Sequence, residues 1–446
     1  MSQRLVIIGG NPAGMSGAAE ARRGDPDLDI VVLERTQHVS YASCGMPYWL
    51  GGVVEPRERL LAIDLDTFRE KRNIDVRLGA EATGIDPDGR AVVLSDGERV
   101  PYDRLLVATG ARPVRPPIPG IETPGVFVLR DMDSAITLKE QLPRVSGGRA
   151  LMVGSGPIGM EMCENLCRND IEVHLLEVAA QLLPTLSPNV AAPVAEALVG
   201  GCTSTRLGST LESIEPGDDG GVLATIDGRT DRYDIVLLGT GVKPNSELAA
   251  AAGCALGPRS AIAIDATGRT SVEHIWAAGD CATAHHRVTG EAVWIPLATT
   301  ANTQGRVAGR SITGRPGRFP GVLGSWVSSA FGVGIGATGL TVEAARDAGF
   351  DAEAIERTGR NRSGYMPGSE STIVRLVWDR SSRRLLGAET SGGDDVATRL
   401  HALAVAISAR MTVDELAEVD FGYAPPVAAL RDPIELAAAA VTGDAP

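Results

Sequence analysis

The apolar positions of this chain fall in short runs that stop abruptly at glycine or at an acid. RLVIIGG at 4–10 and DIVVLE at 29–34 bracket GMSGAAEARR, a stretch of small and apolar residues that predicts a helix. RALMVG at 149–154 and EVHLLE at 172–177 bracket a second such stretch, PIGMEMCENLC. Runs of this length, bounded by turn residues and alternating with helical stretches, read as βαβ units of a parallel sheet. RLLVATG at 104–110, IVLLGTG at 235–241 and HIWAAGD at 274–280 supply further strands, the middle one where the chain leaves the second unit to re-enter the first.

From about Gly324 the pattern changes. SWVSSAFGVGIGATGL and TIVRLVWDRSSRRLLGAETSG read as strands paired through short polar turns, and DVATRLHALAVAISARM reads as a helix. That is a third domain of α+β type without a nucleotide motif. The proline-rich ARPVRPPIPG at 111–120 marks a crossover between domains. The expected division is therefore 1–112, 113–245, 246–323 returning to the first domain, and 324–446: two Rossmann-like α/β domains and a C-terminal α+β domain.

The turns inside the two units carry the chemistry. Gly9, Gly10, Asn11, Pro12, Ala13 and Gly14 lead from strand to helix, and Glu34 closes the next strand. Glycines there let the backbone approach a pyrophosphate, the helix N-terminus offers its N–H groups, and the acid takes ribose hydroxyls. Asn11 stands where the middle glycine of the fingerprint is expected. The second unit has the full pattern, Gly154, Gly156 and Gly159, with Glu177 at the ribose-reading position and no arginine beside it. Two fingerprints argue for two dinucleotides, and Glu177 favours NADH over NADPH.

Cys44 is the centre of VSYASCGMPYWLGG at 39–52, a loop returning into the first nucleotide unit. A reactive thiol needs positive potential, and a helix starting near Met46 is expected to lower its pKa. Asp280 ends an apolar strand, where it either receives hydroxyl hydrogen bonds or caps a helix. The helix in IPLATTANTQGRVAGRSI has a face of small residues suited to packing on a cofactor or on another helix.

Length and composition narrow the rest. A chain of 446 residues holds roughly three ordinary domains. Fifty-three glycines and 4% aromatics fit tight backbone approaches, and a net charge of −14 gives no footprint for nucleic acid. The six cysteines form no CxxC pair and no zinc pattern, so neither a disulfide framework nor a metal site is expected, and the i, i+4 pair Cys163 and Cys167 reads as packing. With no signal-like N-terminus and no membrane-length apolar run, a cytoplasmic protein is expected.

Taken together, GGNPAG, YASCGMPYWLGG, the Ala-Thr-Gly turn, GSGPIG, AAGD and the GYAPP tail resemble the single-cysteine flavoprotein disulfide reductases. That group contains coenzyme A-disulfide reductases, NADH oxidases and peroxidases, and polysulfide or persulfide reductases. The resemblance implies a homodimer through the third domain, one FAD per subunit, and electrons passing from NADH, or NADPH, through FAD to Cys44. With no cysteine four or five residues away, oxidised Cys44 would hold a small thiol, an extra sulfur or an oxygen. The implied cofactor-binding set is Gly9, Gly10, Pro12, Ala13, Gly14, Glu34, Arg35, Ser43, Thr109, Gly110, Gly154, Gly156, Ile158, Gly159, Glu161, Glu177, Gly241, Gly279, Asp280 and Thr299. Tyr365 and Tyr423 would act with Cys44 across the dimer as catalytic phenols, the alternative being packed interface tyrosines. Coenzyme A would be held by Arg22, Arg23, Ser40, Lys71, Asn302, Arg306 and Arg431. Pro12, where sulfenate-forming members have a histidine, favours reduction of coenzyme A disulfide or a coenzyme A-linked per- or polysulfide. Asn11, which some oxidases share, and Pro157, where many members have a gating aromatic, keep oxygen reduction open. A redox sensor or electron-transfer partner is the third reading.

Overall fold

The computed structural model describes residues 3–218 and 220–443. The first unit comprises β1 (Arg4–Ile8), α1 (Pro12–Gly24), β2 (Asp29–Glu34), the short α2 (Met46–Leu50), β3 (Asp75–Leu78) and β4 (Arg104–Val107). The second comprises β5 (Val126–Val128), α3 (Met132–Gln141), β6 (Arg149–Val153), α4 (Pro157–Cys167), β7 (Glu172–Glu177), β8 (Thr203–Leu207) and β9 (Ile235–Leu238). The chain then returns to the first unit through β10 (Ile275–Ala277) and α5 (Ala298–Ile312). The third unit is built from β11 (Trp326–Ala330), β12 (Val333–Gly339), β13 (Ala352–Arg360), β14 (Ser371–Asp379), β15 (Leu385–Gly392), α6 (Val396–Ser408) and α7 (Pro433–Thr442).

The first sheet is parallel throughout, in the order β10-β4-β1-β2-β3, and the second is parallel in the order β8-β7-β6-β9-β5. In each, the strand feeding the glycine turn is central and its neighbours on either side come from opposite directions of winding. That is the switch point at whose carboxyl edge dinucleotides bind. The crossing between units is an antiparallel pair, Ala111–Pro113 against Val242–Pro244. The third unit carries an antiparallel sheet in the order β11-β12-β15-β14-β13.

The small face of α5 packs on a helix. A Cβ placed on Gly305 would lie 2.1 Å from the Ala13 carbonyl oxygen, and one on Gly309 would lie 2.5 Å from that of Gly17. α1 and α5 therefore touch backbone to backbone, which only glycine permits. At the end of this contact the buried Glu20 accepts from Arg310 Nε at 2.9 Å and Arg315 Nη2 at 3.0 Å, and also pairs with Arg23. Burial alone would raise its carboxyl, but the arginines outweigh it and hold the pKa at about 2.

One expectation is overturned. Cys167 at the end of α4 and Cys202, just before β8, form a disulfide, with Cα atoms 5.9 Å apart and 35 residues between them in sequence. The helical spacing to Cys163 hid it, because the partner arrives from the sheet edge rather than from the same helix. Cys163 itself is fully buried, as a packing residue would be. Among the described residues no helix is long and apolar enough to cross a membrane, and no group of His, Cys, Asp and Glu could hold a metal ion.

Candidate active site

The first cradle follows β1. Gly9 has φ +108°, and a Cβ there would lie 2.2 Å from the Ala108 carbonyl oxygen. A Cβ on Gly14 would meet the Gly9 carbonyl at 1.9 Å. The turn is thus pressed flat on the sheet, and α1 begins at Pro12, a residue suited to that position because the first helical N–H has no partner. The first intrahelical bond runs from the Met15 amide to the Asn11 carbonyl at 3.0 Å, so the Ala13 and Gly14 amides precede it. Glu34 accepts from the Gly10 amide at 2.8 Å and from both donors of Thr36 at 2.9 Å. The Asn11 departure has a reason here: its side-chain carbonyl receives the Tyr41 amide at 3.3 Å and ties the turn to the cysteine loop.

The second cradle follows β6 with the same geometry. Gly154 has φ +101° and Gly159 sits 2.1 Å, at its would-be Cβ, from the Gly154 carbonyl oxygen. Gly156, in contrast, has open space where its Cβ would be. The tight glycines press the turn on the sheet and the open one leaves room for phosphate, so these residues fit a dinucleotide. Glu177 is buried, accepting from the Ser155 amide at 2.8 Å, the Ser155 hydroxyl at 2.7 Å and the Ala179 amide at 2.9 Å. Burial pushes its carboxyl up, but these donors prevail and its pKa is lowered. Ile158 is half exposed at the start of α4.

Cys44 lies in a 3-10 turn, Ser43–Gly45, directly before α2. Met46, Trp49 and Leu50 of α2 share one core with Met160, Cys163 and Leu166 of α4 and with Ala330 and Ile335 of the third unit. The far end of α2 is held by Lys139 Nζ, which donates to the Trp49 and Leu50 carbonyls at 2.8 and 3.2 Å, and by Asn169 Nδ2 on the Leu50 carbonyl at 3.0 Å. The cysteine loop of the first unit is thereby seated on the nucleotide helix of the second. Cys44 is exposed, whereas the other free cysteines, Cys163, Cys254 and Cys281, are buried.

The expected lowering of the Cys44 pKa is not found. Desolvation by the surrounding chain raises the Cys44 pKa, followed by the charges of Glu161 and Asp280; Arg130 opposes them. A five-residue helix does not overcome two carboxylates. Glu161 accepts from the Ser328 hydroxyl of β11 at 2.7 Å, and burial raises its own pKa.

Asp280 is not a helix cap. Its carboxylate pairs with Arg130 Nη2 at 3.3 Å, and its carbonyl receives Trp294 Nε1 at 2.8 Å. Gly279, just before it, donates its amide N–H to the side-chain carbonyl oxygen of the buried Gln304 at 2.9 Å. Thr109 and Gly110 are bound to Asn245, with 2.5 Å from Thr109 Oγ1 to the Asn245 carbonyl and 2.9 Å from the Asn245 amide to the Gly110 carbonyl. Gly241 adopts φ +93°, and Arg35 pairs with Asp131 at 3.6 Å. Thr299 is exposed in the first turn of α5, and Ser43 is half-buried. Arg130, Asn245, Trp294 and Gln304 went unrecognised in the sequence because none lies in a motif.

Tyr365 and Tyr423 come together in the third unit. They are 75% and 47% exposed, so they are not core residues of their own subunit. The Ser363 hydroxyl lies 3.5 Å from the Tyr423 hydroxyl, and hydrogen bonds from Ser363 and Tyr365 lower the Tyr423 pKa. The buried Arg399 joins the two loops, donating to Asp432 at 2.9 Å and to the Asn361 carbonyl at 3.4 Å, while also pairing with Asp395.

The residues expected at coenzyme A are dispersed in role. Arg22 spends its guanidinium on the carbonyls of Arg72, Asn73 and Pro26 at 2.9, 2.6 and 2.6 Å, and Arg23 is committed to Glu20. Arg431 donates to Glu435 at 2.9 Å, and Ser40 is buried with its amide on the Gly10 carbonyl at 2.9 Å. Lys71 and Arg306 are exposed, as is Asn302, which donates to the Ser16 hydroxyl at 2.8 Å.

Two dinucleotide cradles converging on one exposed thiol define an NAD(P)H-dependent flavoprotein oxidoreductase. The pattern of the pyridine nucleotide-disulphide oxidoreductases matches residues 3–305, that of their dimerisation domain matches residues 330–433, and the chain belongs to this family. It is 35% identical over 435 residues to a CoA-dependent NAD(P)H sulfur oxidoreductase of Pyrococcus abyssi, covering 97% of each chain. It is 33% identical over 442 residues to an NADH oxidase of Methanocaldococcus jannaschii, covering 98% of each. The solved structure of an NAD-dependent persulfide reductase from A. fulgidus superposes with a TM-score of 0.95 at 36% identity, covering 99% of this chain and 83% of that one.

The charge balance around Cys44 is testable in protein stripped of its nucleotides. A raised pKa leaves the thiol protonated at neutral pH, so alkylation by iodoacetamide should be slow there and rise roughly tenfold per pH unit until past the ordinary thiol range. Glu161→Gln should shift the profile to lower pH. A profile that levels off below the ordinary thiol range would contradict the assignment.

Proposed function

We propose that the chain is an NADH-dependent reductase of coenzyme A disulfide, or of coenzyme A-linked per- and polysulfides, acting as a cytoplasmic homodimer. One observation carries this reading: Cys44 is the exposed free thiol of the site and has no cysteine beside it to complete a disulfide. Its second sulfur must therefore come from the substrate. The CoA-dependent sulfur oxidoreductase of Pyrococcus abyssi supports coenzyme A as the carrier of that sulfur.

The residues divide the work. FAD, held by the turn Gly9–Gly14, Glu34 and Asp280, supplies two-electron transfer between nicotinamide and thiol when bound. The Gly154–Gly159 turn and Glu177 orient the nicotinamide nucleotide, and the ionised Glu177 repels a 2′-phosphate while accepting from the ribose diol. Cys44, once deprotonated, attacks one sulfur of the substrate disulfide, forms the mixed disulfide and releases the first thiolate. Two electrons from NADH then cleave the mixed disulfide, returning Cys44 and the second thiol; the balance is NADH, a proton and one disulfide to NAD⁺ and two thiols. The partner subunit's Tyr365 and the partner subunit's Tyr423 would give protons to the departing sulfur, and their exposure in the single chain supports that placement. Lys71 and Arg306, the basic side chains left exposed, are the better phosphate contacts, since Arg22 and Arg23 already have partners within the chain.

The NADH oxidase among the relatives favours a second reading, oxygen reduction, and one set of kinetic measurements separates them. Cys44→Ser should leave flavin reduction by NADH intact and abolish reduction of coenzyme A disulfide. Tyr365→Phe and Tyr423→Phe should each slow disulfide turnover, by roughly 10–150-fold if a charge-assisted hydrogen bond of the transition state is lost. Turnover of coenzyme A disulfide by the Cys44→Ser protein, or wild-type activity confined to oxygen, would reject the reading. NADH should also show a higher kcat/KM than NADPH, and the reverse order would remove Glu177 from the discrimination.

A further inference from the structure

Glu161 stands apart from the other carboxylates around Cys44. Asp280 is paired with Arg130, and Glu164, one turn further along α4, receives Arg168 Nη2 at 3.0 Å. Glu161 is met by a neutral hydroxyl instead: Ser328 Oγ, in the middle of β11, donates to its Oε1 at 2.7 Å. Its charge is therefore held in place without being neutralised. Cys44 and Tyr48 are the titratable groups that meet it from the side of α2. Burial raises the Tyr48 phenol, and the charges of Glu161, Glu164 and Cys44 add to that rise.

The strand that carries Ser328 is seated on α4 by more than this one bond. β11 and β12 are joined by a two-residue turn, Phe331 and Gly332, with φ +54° and +79°. Such a turn ordinarily takes Asn-Gly, because a positive φ crowds a bulky side chain. Phe331 holds that conformation with its amide donating to Glu164 Oε2 at 2.9 Å and its side chain packed on the core that α2 and α4 share. Ser328 lies opposite Ile335 in the β11–β12 register, and Ile335 belongs to the same core. Glu161 and Glu164, three residues apart, share one face of the helix. The hairpin thus grips both carboxylates, with Ser328 turned into the seam.

We propose that Ser328 is a positioning residue of the active site: its hydroxyl fixes the unneutralised Glu161 carboxylate beside the thiol, and through it the third unit sets how readily Cys44 ionises. Burial raises the Glu161 pKa, the Ser328 bond opposes this, and the Glu164 charge adds to the rise. With the hydroxyl gone, a half-buried carboxylate loses its donor and turns toward water or takes a proton. Either change removes negative charge from the thiol, whose remaining charged neighbours are Asp280 and Arg130. The Cys44 thiolate then forms at lower pH. The inference concerns the ionisation of Cys44 and holds for whichever disulfide the thiol attacks.

The test uses the full-length protein with its FAD, reduced and freed of reductant. Alkylation of Cys44 by iodoacetamide is followed against pH, with peptide mapping to isolate that one site. Ser328→Ala should move the profile to lower pH by roughly half to one unit, or about three- to tenfold faster alkylation at a pH below the inflection. Ser328→Thr should keep the wild-type profile, and Ser328→Val, with the shape of threonine but no hydroxyl, should follow Ser328→Ala. The valine variant keeps the comparison open if the alanine variant folds poorly. In Glu161→Gln protein, adding Ser328→Ala should change nothing further, since both act on one charge, whereas a merely structural loosening of the hairpin would add to the shift. Ser328→Ala and Ser328→Val profiles that coincide with wild type, a shift to higher pH, a shift retained in full in the Glu161→Gln background, or a threonine variant that behaves as alanine would overturn the proposal. Iodoacetamide reports on the thiol itself, so the outcome is independent of the substrate reading.

Discussion

The contact on which the site depends is the burial of Met46, Trp49 and Leu50 against Met160, Cys163 and Leu166. It seats a loop of the first nucleotide unit on a helix of the second, and so puts one thiol where both nucleotide cradles converge. Large apolar side chains removed from water at this seam contribute about 1.5–3 kcal/mol each, enough to hold a short helix that would not persist alone. Lys139 and Asn169 finish the work by taking the carbonyls at the end of α2. A third unit reaches the same core through Ala330 and Ile335 and holds Glu161 through Ser328. Position at the thiol is therefore shared among all three units.

Position and reactivity have different sources. Burial, Glu161 and Asp280 all disfavour the Cys44 thiolate, and Arg130 is the opposing charge. A resting thiol kept protonated is protected from oxidation and waits for a deprotonating partner or a bound cofactor to ionise it. The paired loops of Tyr365 and Tyr423 have the opposite character: both tyrosines are exposed, and the loops are joined by the buried Arg399 guanidinium and by the Ser363 amide, which donates to the Pro425 carbonyl at 3.2 Å. The chain builds the sulfur site rigidly and leaves the two tyrosines of the third unit exposed on its surface.

What was legible in the sequence is what backbone geometry forces. Gly9, Gly14, Gly154 and Gly159 sit where any Cβ would strike a carbonyl oxygen, so the strand, the turn and the closing acids Glu34 and Glu177 could be read from order alone. Side chains whose partners lie far along the chain left no such mark. Arg130 meets Asp280 across 150 residues, Cys202 meets Cys167 across 35, and Arg399 meets Asp432 across 33. The sign of the field at Cys44 was misjudged for the same reason. The helix at Met46 is local and visible, but the carboxylate of Glu161 arrives from another unit.

The central claim is that Cys44 takes its second sulfur from a small molecule. It is tested most directly by treating reduced protein with stoichiometric coenzyme A disulfide in the absence of NADH, followed by intact mass and peptide mapping. One coenzyme A attached to Cys44, with one equivalent of coenzyme A released, is the expected result. Cys44 found bonded to another cysteine of the same chain, or left as a free thiol, would contradict it.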